Sequence, residues 1–278
     1  MPVSRSNSRL KTARNGPRAA RPGAAFYDLD GTLVDLNLVH AALFIQSNLG
    51  EWSARIGYLL AFLARAPRLY LAERDDRRVL NAVLFESLQG VSADRLLHLG
   101  REYCERVLIR HLYPQGVELL RANRDAGLEP VIVSGSPDFI VAPLAEYLGA
   151  TDFAANRLAM LGGRATGRLA EPIMAGEEKA RWCERFAEER KLDLAASWGY
   201  ADSYYDLPFL AAIGHPVAVN PDRKLSRTAA SRHWPVVHFD PSRFEEAKRD
   251  ESGAADAGHD FERAPVRRGN GGAAHGAS

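Results

Sequence analysis

Two carboxylates one residue apart, Asp28 and Asp30, close the apolar run Ala24-Ala25-Phe26-Tyr27, and glycine follows at once in Asp28-Leu29-Asp30-Gly31-Thr32. Acids at i and i+2 on an extended backbone point the same way. They repel unless a cation or a shared proton lies between them. Hard oxygen ligands at that spacing suit Mg²⁺, and Gly31 lets the chain turn sharply behind the pair. A strand that merely ends in a polar turn would look the same, so the chemistry depends on what lies downstream. There, Ser134-Gly135-Ser136 follows Pro130-Val131-Ile132-Val133, Lys179 lies in a charged run, and Asp202 and Asp206 follow Ser197-Trp198-Gly199-Tyr200-Ala201. By themselves, Lys179 reads as a solvated helix lysine and Asp206 as the N-cap of a helix beginning Leu207-Pro208.

The elements that must position these residues fall into two kinds. Residues 36–112 have helical periodicity and almost no β-branched runs. Leu36, Val39, His40, Leu43 and Phe44 recur at helical spacing. Further apolar segments follow at 59–69 and 79–84, and a helix opens at Ser92 as N-cap and runs past Tyr103. A crossover helix needs far fewer residues, so 37–112 is expected to be an inserted helical module. From residue 115 the pattern alternates. Residues 116–126 read as a helix stopped by Gly127, 130–133 as a strand, and 138–148 as a helix stopped by Gly149. Gly162-Gly163 marks a hairpin within 158–169. Residues 177–191 read as an amphipathic helix, and 197–201, 216–219 and 236–239 as short strands, with a turn at Asn220-Pro221-Asp222. Alternating strands and helices predict a doubly wound α/β fold with a mostly parallel sheet covered on both faces. Asp28, Asp30, Ser134 and Asp202 then fall at strand C-termini, the rim where such sheets bind ligands.

The 278 residues suffice for one sizeable core and a smaller domain. Apolar and charged contents of 46% and 26% are ordinary for a globular protein. A net charge of +1 predicts no strong pull toward nucleic acid or membrane. The only cysteines, Cys104 and Cys183, lie far apart and read as buried small hydrophobes in a reducing, cytoplasmic setting. The eight histidines are scattered singly, with no zinc spacing. Residues 1–23 are basic without an apolar segment behind them and read as a disordered tail, as do residues 243–278. The apolar stretch 56–64, flanked by Arg55 and Arg65, is too short to span a bilayer. It reads as packing within the helical module, with a lipid-facing patch and weak membrane-surface contact as the second reading.

Asp28-Leu29-Asp30-Gly31-Thr32, Val133-Ser134-Gly135-Ser136, Lys179 and Asp202-Ser203-Tyr204-Tyr205-Asp206 occur in the order found in haloacid dehalogenase-like hydrolases, and the chain resembles that superfamily over about residues 24–240. The helical insert after the first motif and the run Phe153-Ala154-Ala155-Asn156-Arg157-Leu158 resemble its phosphoserine-phosphatase-like branch. The resemblance implies a Rossmann-like core from residues 24–36 and 113–242, a helical cap from 37–112, and Mg²⁺-dependent hydrolysis of a small phosphorylated metabolite. It assigns Asp28 as nucleophile, Asp30 as acid and base, and Ser134, Gly135, Thr32 and Lys179 to the phosphoryl group. Asp28, the main-chain carbonyl of Asp30, and Asp202 would hold the metal, with Asp206 supporting Lys179 or the metal's waters. The departures are Asn37, where phosphoserine phosphatases carry a glutamate for the substrate's ammonium, Ser136 at a glycine-rich position, and Tyr205 where asparagine is frequent. Asn37 argues against phosphoserine. The competing readings are a lipid- or lysolipid-phosphate phosphatase working through the apolar cap, and a non-catalytic phosphate-binding module. Nucleic-acid binding is not expected, and the oligomeric state is not legible.

Overall fold

The computed structural model describes residues 21–49 and 85–240. The expected apolar segments at 56–64, 59–69 and 79–84 and nearly all of both tails lie outside them.

Strand β1 (Ala24–Tyr27) is buried along its whole length, as a near-continuous apolar run in a parallel sheet should be. Ala25 and Tyr27 enter one apolar core, and Ala24 and Phe26 the other, so the sheet is covered on both faces. Around β1 assemble β2 (Glu129–Pro137), β3 (Asp152–Leu161), β4 (Arg164–Ala170), β5 (Trp198–Ala201), β6 (His215–Val219) and β7 (Val236–Val237). The seven strands run in the order β4-β3-β2-β1-β5-β6-β7. Only the β3–β4 pair is antiparallel. The order reverses at β1, which therefore has β2 on one side and β5 on the other. That is the switch point where an open sheet leaves a crevice at its carboxyl edge.

The register is fixed just before the acids. Tyr27 pairs with Tyr200 across β1 and β5, and their rings stack at 4.8 Å. Asn123, from helix α3 (Pro114–Asp125), donates its amide to both phenol oxygens, at 2.6 and 2.8 Å. The Asp28 amide then donates to the Tyr200 carbonyl at 2.9 Å. A slip of one residue would turn every side chain to the other face, so this clamp determines where the two carboxylate-bearing strands end.

Helix α1 (Leu38–Leu49) and helix α2 (Ala93–Arg106) are the described helices of the 37–112 stretch. Ser92 caps α2 as its spacing predicts, accepting from the Arg95 amide. The face of α1 differs from the expected one. Ala41, Ala42 and Ile45 are buried, whereas His40 and Leu43 are exposed. Small alanines permit a close approach that Leu43 would block, and α1 lays them beside Phe85, Leu88, Pro137 and Ile140. The two ends of this stretch run side by side: the Asp35 amide donates to the His111 carbonyl at 3.1 Å, and the Tyr113 amide to the Leu33 carbonyl at 2.8 Å. A hydrogen bond between His111 Nδ1 and Asp35 Oδ1 at 2.8 Å lies over the crossing.

The remaining helices cover the sheet: α4 (Asp138–Leu148), α5 (Glu177–Arg190), α6 (Leu207–Ala211) and α7 (Arg223–Arg232). Both cysteines are buried, as expected, and burial pushes the Cys104 thiol up to about 12. Leu99, Tyr103 and Cys104 of α2 share one core with Phe139 and Ile140 of α4, so α2 is continuous with the body of the protein. Its close approach depends on Gly100, where a Cβ would overlap the Phe139 carbonyl. Gly100→Ala should therefore destabilise the protein by about 1–3 kcal/mol, the usual cost of overpacking. Urea unfolding measures it, and an unchanged midpoint would show that the two helices can separate freely.

Candidate active site

The first acid-bearing loop leaves β1 and turns on itself. The Gly31 amide donates to the Val34 carbonyl at 2.8 Å, and the Leu33 amide to the Leu29 carbonyl at 2.9 Å. Gly31 adopts a φ of +80°, in the left-handed region. Its missing side chain also makes room, because a Cβ there would collide with Asp202 Oδ2. The loop thus brings the end of β1 against the carboxylate at the end of β5.

Lys179 reaches the same place from the first turn of α5. A cation there opposes the helix dipole, and the residue is 4% exposed. Its ammonium lies 2.7 Å from Asp28 Oδ1 and 2.7 Å from Asp206 Oδ1. Burial works against the charge, but the Asp206 and Asp28 carboxylates outweigh it and hold the lysine above its usual pKa. Lys179 is therefore not a solvated helix lysine. Asp206 heads the short helix α6 without capping it through its side chain, because that carboxylate is turned to Lys179.

Asp28, Asp202 and Asp206 each offer a carboxylate oxygen, all within 4.8 Å of one another. Two of the three acids hold the Lys179 ammonium, and Gly31 leaves open the space that Asp202 occupies. A hard divalent cation fits this donor set. The Asp30 carboxylate stands outside the three. It accepts a hydrogen bond from Ser136 Oγ at 2.7 Å.

Ser134 is fully buried within β2, two residues past the last pair with β1 (Tyr27 with Ile132), and its Oγ accepts from the Ser136 amide at 3.0 Å. That bond occupies a lone pair and leaves the hydroxyl proton to donate elsewhere. The Gly135 carbonyl accepts from Asn156 Nδ2 at 2.7 Å, while Asn156 Oδ1 accepts from the Met174 amide at 2.7 Å. Asn156 thus ties the serine loop to the segment leading into α5 and Lys179. Thr32 is 1% exposed, and its Oγ1 has no hydrogen-bond partner among the described residues. A buried hydroxyl of this kind is costly unless something else completes it.

Other supports were not singled out from sequence. Asp222 Oδ2 accepts from the Tyr204 amide at 2.7 Å, and the Asp222 amide donates to the Asp202 carbonyl at 2.8 Å. Asn220 donates to the Gly31 carbonyl at 3.2 Å and accepts from the Phe239 amide at 2.8 Å. The signal for both was their place: a polar turn at the end of β6, on the same rim as the acids. Asn37, in turn, is occupied with local structure. Its Oδ1 accepts from the Val39 amide at 3.1 Å, and its own amide faces His40 Nδ1 at 3.4 Å, a reciprocal cap for α1.

Residues 25–211 match the haloacid dehalogenase-like hydrolase family. The chain belongs to it. A probable phosphatase of Mycobacterium tuberculosis is 30% identical over 245 residues, covering 86% of this chain and 84% of that one. A phosphoserine phosphatase of the same organism is 29% identical over 220 residues, covering 78% and 70%. A Bordetella pertussis protein of unknown function superposes with a TM-score of 0.67 at 25% identity, covering 80% of this chain and all of that one. The resemblance to the phosphoserine-phosphatase-like branch agrees with these relatives, and the sheet is the one that the family membership implies. No helix among the described residues is long and apolar enough to cross a membrane.

Gly31→Ala should push Asp202 away from the other acids and strain the loop by about 1–2 kcal/mol at its left-handed φ. The thermal stabilisation gained on adding Mg²⁺ should shrink in the variant relative to the native chain. An undiminished Mg²⁺ response would mean that the Asp202 carboxylate is not held by this loop.

Proposed function

We propose that the protein is a Mg²⁺-dependent phosphomonoesterase that works through an aspartyl-phosphate on Asp28 and acts on a small phosphorylated metabolite. The observation that carries this reading is the Lys179 ammonium, buried at 2.7 Å from both Asp28 and Asp206, two acids that cluster with Asp202 within 4.8 Å. Phosphoryl transfer asks mainly for positioning and charge neutralisation, and this cluster supplies both.

In this reading Asp28 Oδ attacks phosphorus while Lys179 holds the carboxylate and balances the charge of the phosphoryl oxygens. Ser134 donates its hydroxyl to one of those oxygens, and the Gly135 amide and Thr32 hydroxyl complete their cradle. Asp30 protonates the departing oxygen and then takes a proton from the water that opens the acyl phosphate. Asp28, Asp202 and the Asp30 carbonyl would hold Mg²⁺, which when bound neutralises the facing carboxylates and phosphoryl oxygens. Asp206 keeps Lys179 aimed at Asp28. The helical cap would close over the bound substrate and keep bulk solvent out, leaving room for the one water that Asp30 activates.

For the substrate, the engagement of Asn37 in capping α1 supports a molecule without phosphoserine's ammonium at that position. The relative named phosphoserine phosphatase thus shares the reaction without fixing the leaving group. A screen of phosphoserine, phosphosugars, histidinol phosphate and lysolipid phosphates identifies that leaving group.

Asp28→Asn should retain the native fold by circular dichroism and lose turnover of p-nitrophenyl phosphate to background. The native enzyme should lose activity in EDTA and regain it with Mg²⁺. Full activity in the folded variant would refute the nucleophile, and activity unaffected by chelation would refute the metal.

A further inference from the structure

Ser136 stands where the family's second motif is usually glycine-rich, and it is 3% exposed. Its hydroxyl donates to Asp30 Oδ2 at 2.7 Å, while its amide donates to Ser134 Oγ at 3.0 Å. The residue therefore touches both the expected phosphoryl-binding serine and the expected acid. Its own place is fixed on either side, at Gly135 by the Asn156 amide and at Pro137 by the ring-locked φ that opens α4. Asp30, by contrast, rides on a turning loop and is only partly buried. A carboxylate side chain has two torsions that set its aim and two oxygens that are equivalent until something bonds one of them. The hydrogen bond from a fixed donor selects one orientation and makes the oxygens inequivalent.

Resting on the phosphatase reading above, we propose that Ser136 is a positioning residue that aims Asp30 at the leaving oxygen, so that the enzyme can expel strongly basic alcohols. The step it serves is balanced as follows. Asp28 Oδ bonds to phosphorus, and the bond from phosphorus to the alcohol oxygen breaks with its electron pair going to that oxygen. The alcohol oxygen takes the proton of the Asp30 carboxyl. Water then attacks the acyl phosphate, returns a proton to the Asp30 carboxylate, and inorganic phosphate departs from Asp28. A nitrophenolate leaves without protonation, whereas a phenolate or an alkoxide needs it. Misaiming Asp30 therefore penalises basic leaving groups selectively, which a general loosening of the site would not do.

The test compares kcat/KM, which reports through cleavage of the phosphorus–oxygen bond, for p-nitrophenyl phosphate and phenyl phosphate. The native chain is measured beside Ser136→Ala, Ser136→Gly and Ser136→Thr, each checked for folding by its melting transition. General acid catalysis contributes about 10²–10⁴-fold. Loss of aim should lower phenyl phosphate about tenfold or more beyond any fall in p-nitrophenyl phosphate. Both hydroxyl-free variants should show this, and threonine, which keeps the donor, should restore the native ratio. Equal falls on the two substrates, an unchanged ratio in either folded hydroxyl-free variant, or a threonine variant as impaired as alanine would overturn the proposal. Asp28→Asn measured alongside separates the two failures: if it still turns over p-nitrophenyl phosphate, the phosphatase reading itself has failed, whatever the Ser136 ratios are.

Discussion

A lysine ammonium buried between two carboxylates is what the rest of this structure is arranged to permit. Lys179 comes from the start of a helix, Asp28 from the central strand and Asp206 from a turn beyond β5, and their atoms meet at 2.7 Å. Burying ions is expensive, and a buried pair often stabilises a fold no better than apolar residues of the same volume. Removing one partner is worse, typically costing about 3–5 kcal/mol, because it strands the other charge. The cluster is thus hard to justify as a stabiliser of the sheet. Its excess of acid over base is what a site for a cation and an anionic substrate requires.

The fold supplies this cluster through backbone geometry. Parallel strands β2, β1 and β5 end side by side at the switch point, and each delivers polar residues to the same rim. The stacked Tyr27 and Tyr200, held from below by Asn123, fix the register between the two strands whose ends carry Asp28 and Asp202. Above them Gly31 gives up its side chain so that Asp202 can approach. Asn156 and Asp222 then brace the loops from outside. The acids gather because strands, turns and buttresses leave them nowhere else to go.

Much of this was legible in the sequence because the informative signals were local. An apolar run ending in a polar side chain marks both a buried strand and its functional end, so β1, β2 and β5 could be placed together with Asp28, Ser134 and Asp202. Helix stops at Gly127 and Gly149 and the Ser92 cap were equally local. The burial of Lys179 was not local: its charged helical neighbourhood suggests solvent, and only the motif order pointed inward. Asn123 lies 96 residues from Tyr27 and 77 from Tyr200, and such long-range partners leave no mark on spacing. The buried face of α1 was missed for a related reason, since Ala41 and Ala42 carry little hydrophobic signal but pack closest. Asn37 looked like a substrate-reading position and is also a helix cap.

The family's chemistry and this chain's own departures meet at the serine loop, where Ser134 and Ser136 are linked and Ser136 reaches Asp30. All of it presumes that phosphate is carried covalently on the residue that Lys179 holds. The most direct test is to mix the native protein with Mg²⁺ and an aryl phosphate labelled at phosphorus, quench with acid, and map the label by peptide. The account predicts an acid-stable, hydroxylamine-labile label on the peptide containing Asp28, absent when the same experiment is run on Asp28→Asn. Label on another residue, or turnover with no labelled peptide at any quench time, would contradict it.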